Sequence, residues 1–146
     1  MGQIIGTLTA LIMLAGSAGA PEIKSTTRLT VIRGGSDLIE ITAPEVLALS
    51  NVYAGQFIGA PAESPDSRLA RHTIIFDIQT MQGVKQGAYA VQYVFDDSTG
   101  HAFVYLPGRG DASFRSNLST IIRDGKDGHW HRASAEWAAS ISAYLR

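Results

Sequence analysis

The chain has 146 residues, with 12 basic and 13 acidic side chains, a formal net charge of −1 at pH 7 and no cysteine. Nucleic-acid-binding proteins usually carry a basic footprint, which this nearly neutral chain lacks, so we expect no nucleic-acid partner. The absence of cysteine excludes disulfides, thiolate metal sites and thiol nucleophiles, and a folded domain must therefore be stabilised by its core alone.

The N-terminal segment contains no charged side chain before Glu22. It has an apolar core at residues 11–15 and ends in Ala18-Gly19-Ala20, the small-x-small pattern that a signal peptidase cleaves. We interpret residues 1–20 as a cleaved signal peptide and residues 21–146 as a single domain that acts in the periplasm or outside the cell. No basic residue precedes the apolar core, although signal peptides usually begin with one. The alternatives are an uncleaved membrane anchor, because residues 2–21 are uncharged and a spanning helix needs about 20 apolar residues, and a wrongly assigned start codon. After cleavage we expect no stable membrane insertion.

The first folded elements are predicted to be a hairpin and a short helix. Strands at residues 28–33 and 38–42 flank Gly34-Gly35-Ser36, which suits a turn. Thr42-Ala43-Pro44-Glu45 matches a capping box with proline in the first turn, so a short helix is expected to follow the hairpin. Residues 59–67 are rich in glycine, alanine, proline and serine and are interpreted as a loop.

The centre of the chain gives the strongest structural signal, a three-stranded antiparallel meander. Residues 72–82 and 85–96 are rich in β-formers and meet at Gly83-Val84, a pair suited to a two-residue turn. Residues 97–100 then turn the chain into a third strand at 101–106. Both turns place apolar side chains on one shared face, as a correctly registered sheet requires.

The two turns also fix a predicted register. The turn at Gly83-Val84 pairs Ile78 with Tyr89, and the following turn pairs Phe95 with Ala102. Every predicted cross-strand pair on this face is apolar, so we expect the face to be buried against other elements.

Two C-terminal helices are predicted to cover that face. Asp111 is interpreted as the N-cap of the first helix, with Gly125 at its end, and Asp127 as the cap of the last helix. The apolar stripe of the last helix would consist of Trp130, Ala133, Trp137, Ile141 and Tyr144. Because strands precede helices along the chain, the predicted fold is α+β, an antiparallel meander sheet packed on its apolar face by C-terminal helices.

The opposite face of the meander mixes apolar and polar side chains and is the predicted ligand-binding surface. It is too apolar for a free surface and too polar for a core, so a second layer or a ligand should meet it. The candidate ligand-binding residues are Asp77, Gln92, Phe103, Tyr105 and Arg109. Arg109 is included because Pro107-Gly108-Arg109-Gly110 leads into a predicted helix N-terminus, where free N–H groups suit an anion.

Histidines supply the candidate catalytic and metal-binding residues. Asp96 falls opposite His101, and a carboxylate beside an imidazole prepares a general base or a metal ligand, although a solvated ion pair is the simpler reading. His129 and His131 would chelate a metal with His101 only if their segment is extended, because in a helix they lie about 200° apart. The tryptophan stripe favours a helix, and we therefore expect no metal or other cofactor.

The sequence favours a small exported, non-catalytic domain that binds a protein or a small-molecule ligand through the mixed face. No nucleophile elbow, P-loop, zinc-protease or dinucleotide motif is present in the printed sequence. One alternative is a small secreted hydrolase or metal-dependent enzyme that uses His101 and Asp96. Another is a structural or assembly subunit of the cell envelope, with the sheet as its interface.

Overall fold

The computed structural model describes residues 22–117 and 126–145. The strands are β1 (Thr26–Arg33), β2 (Asp37–Ile41), β3 (Ile58–Pro61), β4 (Arg71–Thr80), β5 (Gly83–Asp96), β6 (His101–Tyr105) and β7 (Trp130–Ala133). The helices are α1 (Pro44–Ala48) and α2 (Ala135–Ser142), and a 3₁₀ turn covers Ala112–Phe114. The predicted signal peptide and residues 118–125 of the helix predicted after Asp111 lie outside the described residues.

The strands form one seven-stranded sheet in the order β2-β1-β4-β5-β6-β7-β3, and the neighbouring strands are antiparallel. Residues of α1 and α2 join the sheet residues in a single buried core. The α+β prediction, an antiparallel sheet with helices packed on one face, is therefore confirmed. Within the two described ranges, no helix has the length and apolar character needed to cross a membrane.

An aromatic cluster forms the centre of the core. The ring of Trp137 in α2 lies 4.9 Å from the ring of Phe57 and 5.7 Å from that of Tyr93. The indole Nε1–H of Trp137 donates to Ser50 Oγ at 2.9 Å, and the Ser50 hydroxyl donates to the Val46 carbonyl at 2.7 Å. Ser50 is thus bonded to a residue of each helix. Helix α2 is fixed against α1 through this serine and against the sheet through the contact of Trp137 with Tyr93.

Two predicted hairpins are confirmed. The first joins β1 to β2, with Arg33 opposite Asp37 across the glycine turn. The second joins β5 to β6 in the predicted register, with Phe95 opposite Ala102. Helix α1 also follows the first hairpin as predicted. Its capping box is not formed, because the N-cap is Ala43, which has no side chain that could accept a hydrogen bond.

The predicted register between β4 and β5 is wrong. The turn lies two residues earlier than Gly83-Val84, at Met81-Gln82, and pairs Thr80 with Gly83. The Thr80 hydroxyl donates to the Gly83 carbonyl at 2.7 Å, and Gly83 has a φ of +112° that favours glycine directly after the turn. Ile78 consequently faces Lys85 instead of Tyr89. The error is an even number of residues, so the predicted buried face is still correct.

A bulge in β5 changes the register a second time. Phe76 pairs with Tyr89 although Ile78 pairs with Lys85, so extra residues of β5 lie opposite Asp77. Gly87 lies in this bulge with a φ of +63°, and its N–H donates to Asp77 Oδ1 at 2.9 Å. The Asp77 carboxylate therefore stabilises the bulge from the neighbouring strand.

The last helix begins later than predicted. Residues from Trp130 to Ala133 form β7, which pairs with the free edge of β6, and Trp130 lies opposite Tyr105. Helix α2 begins after Ser134, whose hydroxyl accepts a hydrogen bond from the backbone N–H of Trp137. Trp137 is therefore a core residue of α2, whereas Trp130 belongs to the other face of the sheet. Asp127 precedes β7 and does not cap a helix.

The predicted loop after residue 58 begins with an edge strand. Ile58 pairs with Ala133, and Pro61 pairs with His131, with an irregularity between the two pairs. A proline has no N–H to contribute to a ladder and is tolerated at the edge of a sheet. The sheet thus ends in a short, irregular strand that contains a proline.

Candidate functional site

The second face of the sheet is the one opposite α1 and α2, and two rows of side chains cross it from β4 to β7. The Tyr105 row consists of Thr73, Gln92, Tyr105 and Trp130. The Phe103 row consists of Arg71, Val94, Phe103 and Arg132. Strand alternation places both rows away from the core residues Tyr93 and Val104.

Two arginine side chains cover aromatic rings on this face. The guanidinium Cζ of Arg71 lies 5.1 Å from the centre of the Trp130 ring, and that of Arg132 lies 5.7 Å from the centre of the Phe103 ring. Such contacts combine cation–π attraction with burial of the arginine stem. Val94 is fully buried on this face. The apolar part of the second face is thus partly covered by the chain's own arginines, a cover that the sequence analysis did not foresee.

An open groove of about 530 Å³ lies beside the Arg71 stack. Its floor is formed by Arg71, Gln92, Tyr105 and Trp130, and its wall by residues of the 107–113 segment. The volume falls in the range of about 300–1,000 Å³ that is usual for small-molecule sites. The groove brings together a cation, an aromatic ring, an amide and a hydroxyl group.

The carboxylate of Asp111 holds the wall against the floor. The Tyr105 hydroxyl and the Gly108 N–H both donate to Asp111 Oδ2, each at 2.7 Å. The hydrogen bond to Asp111 raises the pKa of the Tyr105 hydroxyl, because it stabilises the protonated phenol, and burial adds to this effect. Asp111 makes no side-chain capping bond to the 3₁₀ turn that follows it, so its predicted role as a helix cap is wrong.

Asn117 secures the other end of the wall segment. Its Oδ1 accepts from the Ala90 N–H at 3.0 Å and its Nδ2 donates to the Ala90 carbonyl at 3.3 Å. Strand β6 ends at Tyr105, opposite Gln92, so the β5 backbone at Ala90 is beyond the last strand pair on that side. The buried amide takes the place of a strand partner there, which satisfies both backbone groups.

The structure separates the five predicted ligand-binding residues. Gln92 and Tyr105 both line the groove, and Phe103 lies in the neighbouring row beneath Arg132. Asp77 is only 4% exposed and forms an ion pair with Arg28. Arg109 is exposed in the wall segment and does not line the groove. The neighbouring Gly108 N–H, which the sequence analysis offered to an anion, already donates to Asp111.

The groove residues that were not predicted to bind a ligand include Arg71, Trp130, Asp111 and Ser113. Residues 130–133 alternate between the two faces of the sheet, as a strand does. They were predicted to belong to a helix because the spacing from Trp130 to Trp137 also fits a helical stripe. Nothing local indicated that Arg71 crosses the sheet to reach Trp130.

Asp96 and His101 are directly opposite each other, as predicted. The Asp96 carboxylate, however, accepts hydrogen bonds from the Ser98 N–H at 3.0 Å and the Ser98 hydroxyl at 2.6 Å. The bond from the Ser98 side chain is the main reason that the pKa of Asp96 is lowered. The carboxylate thus closes the β5–β6 turn and does not orient the exposed imidazole.

The candidate metal-binding histidines do not converge. The segment from His129 to His131 is extended. The predicted helix, in which the two imidazoles would lie too far apart to chelate one metal ion, is therefore wrong. His131 pairs with Val104 on the core face, whereas His101 shares the second face with Phe103. His131 is 3% exposed, and its Nε2 lies 3.1 Å from the Lys126 carbonyl. Among residues 22–117 and 126–145, no group of three or more histidines and carboxylates is placed to hold a metal ion.

Comparison with known proteins assigns no family to the chain. No protein-family model, no curated protein and no solved structure matches it.

Proposed function

We propose that this chain is a non-catalytic binding domain that takes a small ligand in the groove on its second face. The observation that supports the proposal is the composition of the groove. An exposed guanidinium group, the Tyr105 ring, the Gln92 amide and the Ser113 hydroxyl converge on a space of about 530 Å³. A concave site with an aromatic surface and a few convergent polar groups is typical of ligand binding.

The ionisable groups of the groove favour binding over catalysis. Asp111 Oδ2 already accepts two hydrogen bonds, from Tyr105 and Gly108. The pKa of Tyr105 is raised, so its hydroxyl stays protonated near neutral pH. A general base needs a pKa near the working pH and a free position beside the reacting proton. Arg71 remains charged and offers only donors, which suits recognition of a ligand.

A second candidate is a hydrolase centred on His101. A cavity of about 280 Å³ lies between His101 and α2, with Phe95 and Arg132 also in its lining. This reading requires Asp96 to exchange its bonds with Ser98 for a bond with the imidazole. Loss of a measured esterase or phosphatase activity in His101→Ala would support the hydrolase, and unchanged activity would exclude it.

Export is part of the proposal and is supported by the sequence of residues 1–20. The purified exported protein is expected to begin at Pro21, which intact-mass spectrometry measures directly. An unprocessed chain that begins at Met1 and stays in the cytoplasm would contradict export without affecting the groove.

The groove is tested by NMR titration of the ¹⁵N-labelled protein with six compounds. Glucose and cellobiose are neutral sugars, indole and p-cresol are aromatic, and glucuronate and glucose 6-phosphate are anionic. At least one compound is expected to shift the Gln92 side-chain amide saturably. Tyr105→Ala should remain folded and weaken that binding about tenfold, since aromatic contacts of this size contribute about 1–2 kcal/mol.

Tyr53→Ala is the matched control, because Tyr53 follows α1 and contacts Lys24 away from the groove. It should leave the titration unchanged. The proposal is wrong if no compound shifts the Gln92 side-chain amide. It is also wrong if Tyr105→Ala unfolds the domain, because Tyr105 would then be needed for internal packing and not for a ligand.

A further inference from the structure

We infer that the ligand of the groove carries an oxyanion, a carboxylate or a phosphate group, and that Arg71 binds it. The inference rests on the proposed function, because it names the ligand class of the same groove. Three features support it: the exposure and contacts of the Arg71 guanidinium group, the charges around it, and the polar groups on the groove floor.

The guanidinium group of Arg71 is exposed and has no carboxylate partner among the described residues. The arginines that form ion pairs among the described residues are Arg28, Arg33 and Arg68. Arg71 instead lies over the ring of Trp130. Stacking occupies the flat face of a guanidinium group and leaves the N–H donors at its rim free for in-plane hydrogen bonds. Arg71 is thus held in position, and its donors make no hydrogen bond to a side chain or backbone group of the described residues.

The charges near Arg71 leave the groove positive on this side. The acidic residue in the lining is Asp111, and its Oδ2 is turned toward two donors in the wall and floor. Arg132, in the same row as Arg71, lies over Phe103, and its buried Nε has no hydrogen-bond partner within residues 22–117 and 126–145. Two guanidinium groups against one carboxylate leave one excess positive charge here, which attracts an anion locally although the whole chain has a net charge of −1.

The remaining floor suits the neutral part of such a ligand. The Gln92 Nε2 donates to Thr73 Oγ1 at 3.2 Å, which leaves a second amide N–H for a ligand. Ser113 adds a hydroxyl group in the wall, and Tyr105 adds a ring face. Hydroxyl-bearing rings use both kinds of contact, so a sugar acid or a sugar phosphate combines the required features.

Three sugars that share one ring test the inference. D-Glucose, D-glucuronate and D-glucose 6-phosphate carry at the sixth carbon a hydroxyl, a carboxylate or a phosphate group. NMR titration at low salt should show that at least one anionic sugar binds about tenfold more tightly than glucose, since hydrogen bonds to charged groups are the stronger ones. Which anion is preferred distinguishes a carboxylate ligand from a phosphate ligand.

The variants isolate the role of Arg71. Arg71→Gln should abolish the preference for anionic sugars, measured as the ratio of each anionic sugar's affinity to the affinity for glucose in the same variant. Arg71→Lys keeps the charge but loses the planar stack, and it should retain a reduced preference. Arg68→Gln is the control, because Arg68 is also exposed but pairs with Asp66. Core resonances of α2 establish that each variant is folded.

Each failure has a distinct meaning. Equal affinity for the three sugars, or an unchanged preference in Arg71→Gln, overturns the inference and leaves the groove as a binding site. Binding of indole or p-cresol without any of the three sugars does the same. If none of the six compounds reaches the groove, the proposed function falls together with the inference.

Discussion

The hydroxyl group of Tyr105 donates a 2.7 Å hydrogen bond to Asp111 Oδ2 and so joins strand β6 to the wall of the groove. The same oxygen accepts from the Gly108 N–H, which fixes the wall at its first turn. In the loop that was predicted as an anion site, the Gly108 N–H therefore binds the chain's own carboxylate, and the cation that lines the groove, Arg71, lies across the sheet.

Removal of the Asp111 carboxylate should lower the pKa of Tyr105. The hydrogen bond to Asp111 is the largest cause of its upward shift, so Asp111→Ala should return the phenol toward its ordinary value of about 10. Titration of ¹³Cζ-labelled tyrosine by NMR measures the change. Tyr93, whose pKa is raised to about 12 by burial, should be unaffected and serves as an internal control. An unchanged Tyr105 titration would show that the bond to Asp111 does not form.

Burial of the Tyr93 hydroxyl should make the protein less stable at high pH. Burial raises the pKa of Tyr93 from 10.0 to about 12, so the folded state favours the neutral phenol. That stability is complete below pH 10 and is lost as the pH rises toward 12, by roughly 2–3 kcal/mol in the free energy of unfolding. Urea denaturation over this pH range measures it.

Tyr93→Phe isolates this effect from other groups that titrate at high pH. The buried Tyr93 hydroxyl has no hydrogen-bond partner in the part of the chain that the structure describes, so its removal should cost little at neutral pH or increase stability. The fall between pH 10 and 12 should be smaller in the variant. An equally steep fall in both proteins would contradict the assignment to Tyr93.

The buried bond between Trp137 and Ser50 should be a major source of stability. Ser50→Ala leaves the Trp137 Nε1–H without an acceptor in the core, which should cost about 1–3 kcal/mol in urea denaturation. Ser142→Ala is the control, because the Ser142 hydroxyl donates only to the nearby Ala139 carbonyl, and its loss should cost less than about 0.5 kcal/mol. If both variants lost the same free energy of unfolding, the hydrogen bond from Trp137 to Ser50 would not contribute to stability.

Asp77 should stabilise the fold without taking part in binding. Its carboxylate accepts from Arg28 Nε and from the Gly87 N–H, both at 2.9 Å. Asp77→Asn should cost about 2–3 kcal/mol, because Arg28 loses the closer and more buried of its two carboxylate partners and keeps only the exposed Glu40 at 3.4 Å. Ligand titrations of the folded variant should match the wild type. The exposed pair of Asp66 with Arg68 provides the control, and Asp66→Asn should leave the denaturation curve unchanged.

The fold was predictable where local patterns and turns agree. The register of β5 and β6 follows from the turn at residues 97–100 and from alternation, and both give Phe95 opposite Ala102. Between β4 and β5, glycine serves two purposes that the sequence does not distinguish. Gly83 follows the turn and Gly87 forms the bulge, so a register built on a single glycine turn is wrong.

Trp130 shows where periodicity is ambiguous. Its spacing to Trp137 fits a helix. The backbone of residues 130–133 nevertheless pairs with the edge of β6 and forms a strand. A sheet edge is a tertiary feature and outweighs a weak local preference.

The candidate site was predictable only in part for the same reason. Gln92 and Tyr105 follow from strand alternation within the meander. Arg71 and Asp111 reach the groove through contacts with Trp130 and Tyr105 that join distant parts of the chain, and no local spacing indicates them.

The central claim, that the groove beside Tyr105 is a ligand site, is tested most directly by following the Gln92 side-chain amide during titration with the six compounds. The account predicts a saturable shift with at least one compound, and an affinity about tenfold lower in folded Tyr105→Ala. A Gln92 signal that stays in place with every compound, while the core of α2 remains intact, would contradict it.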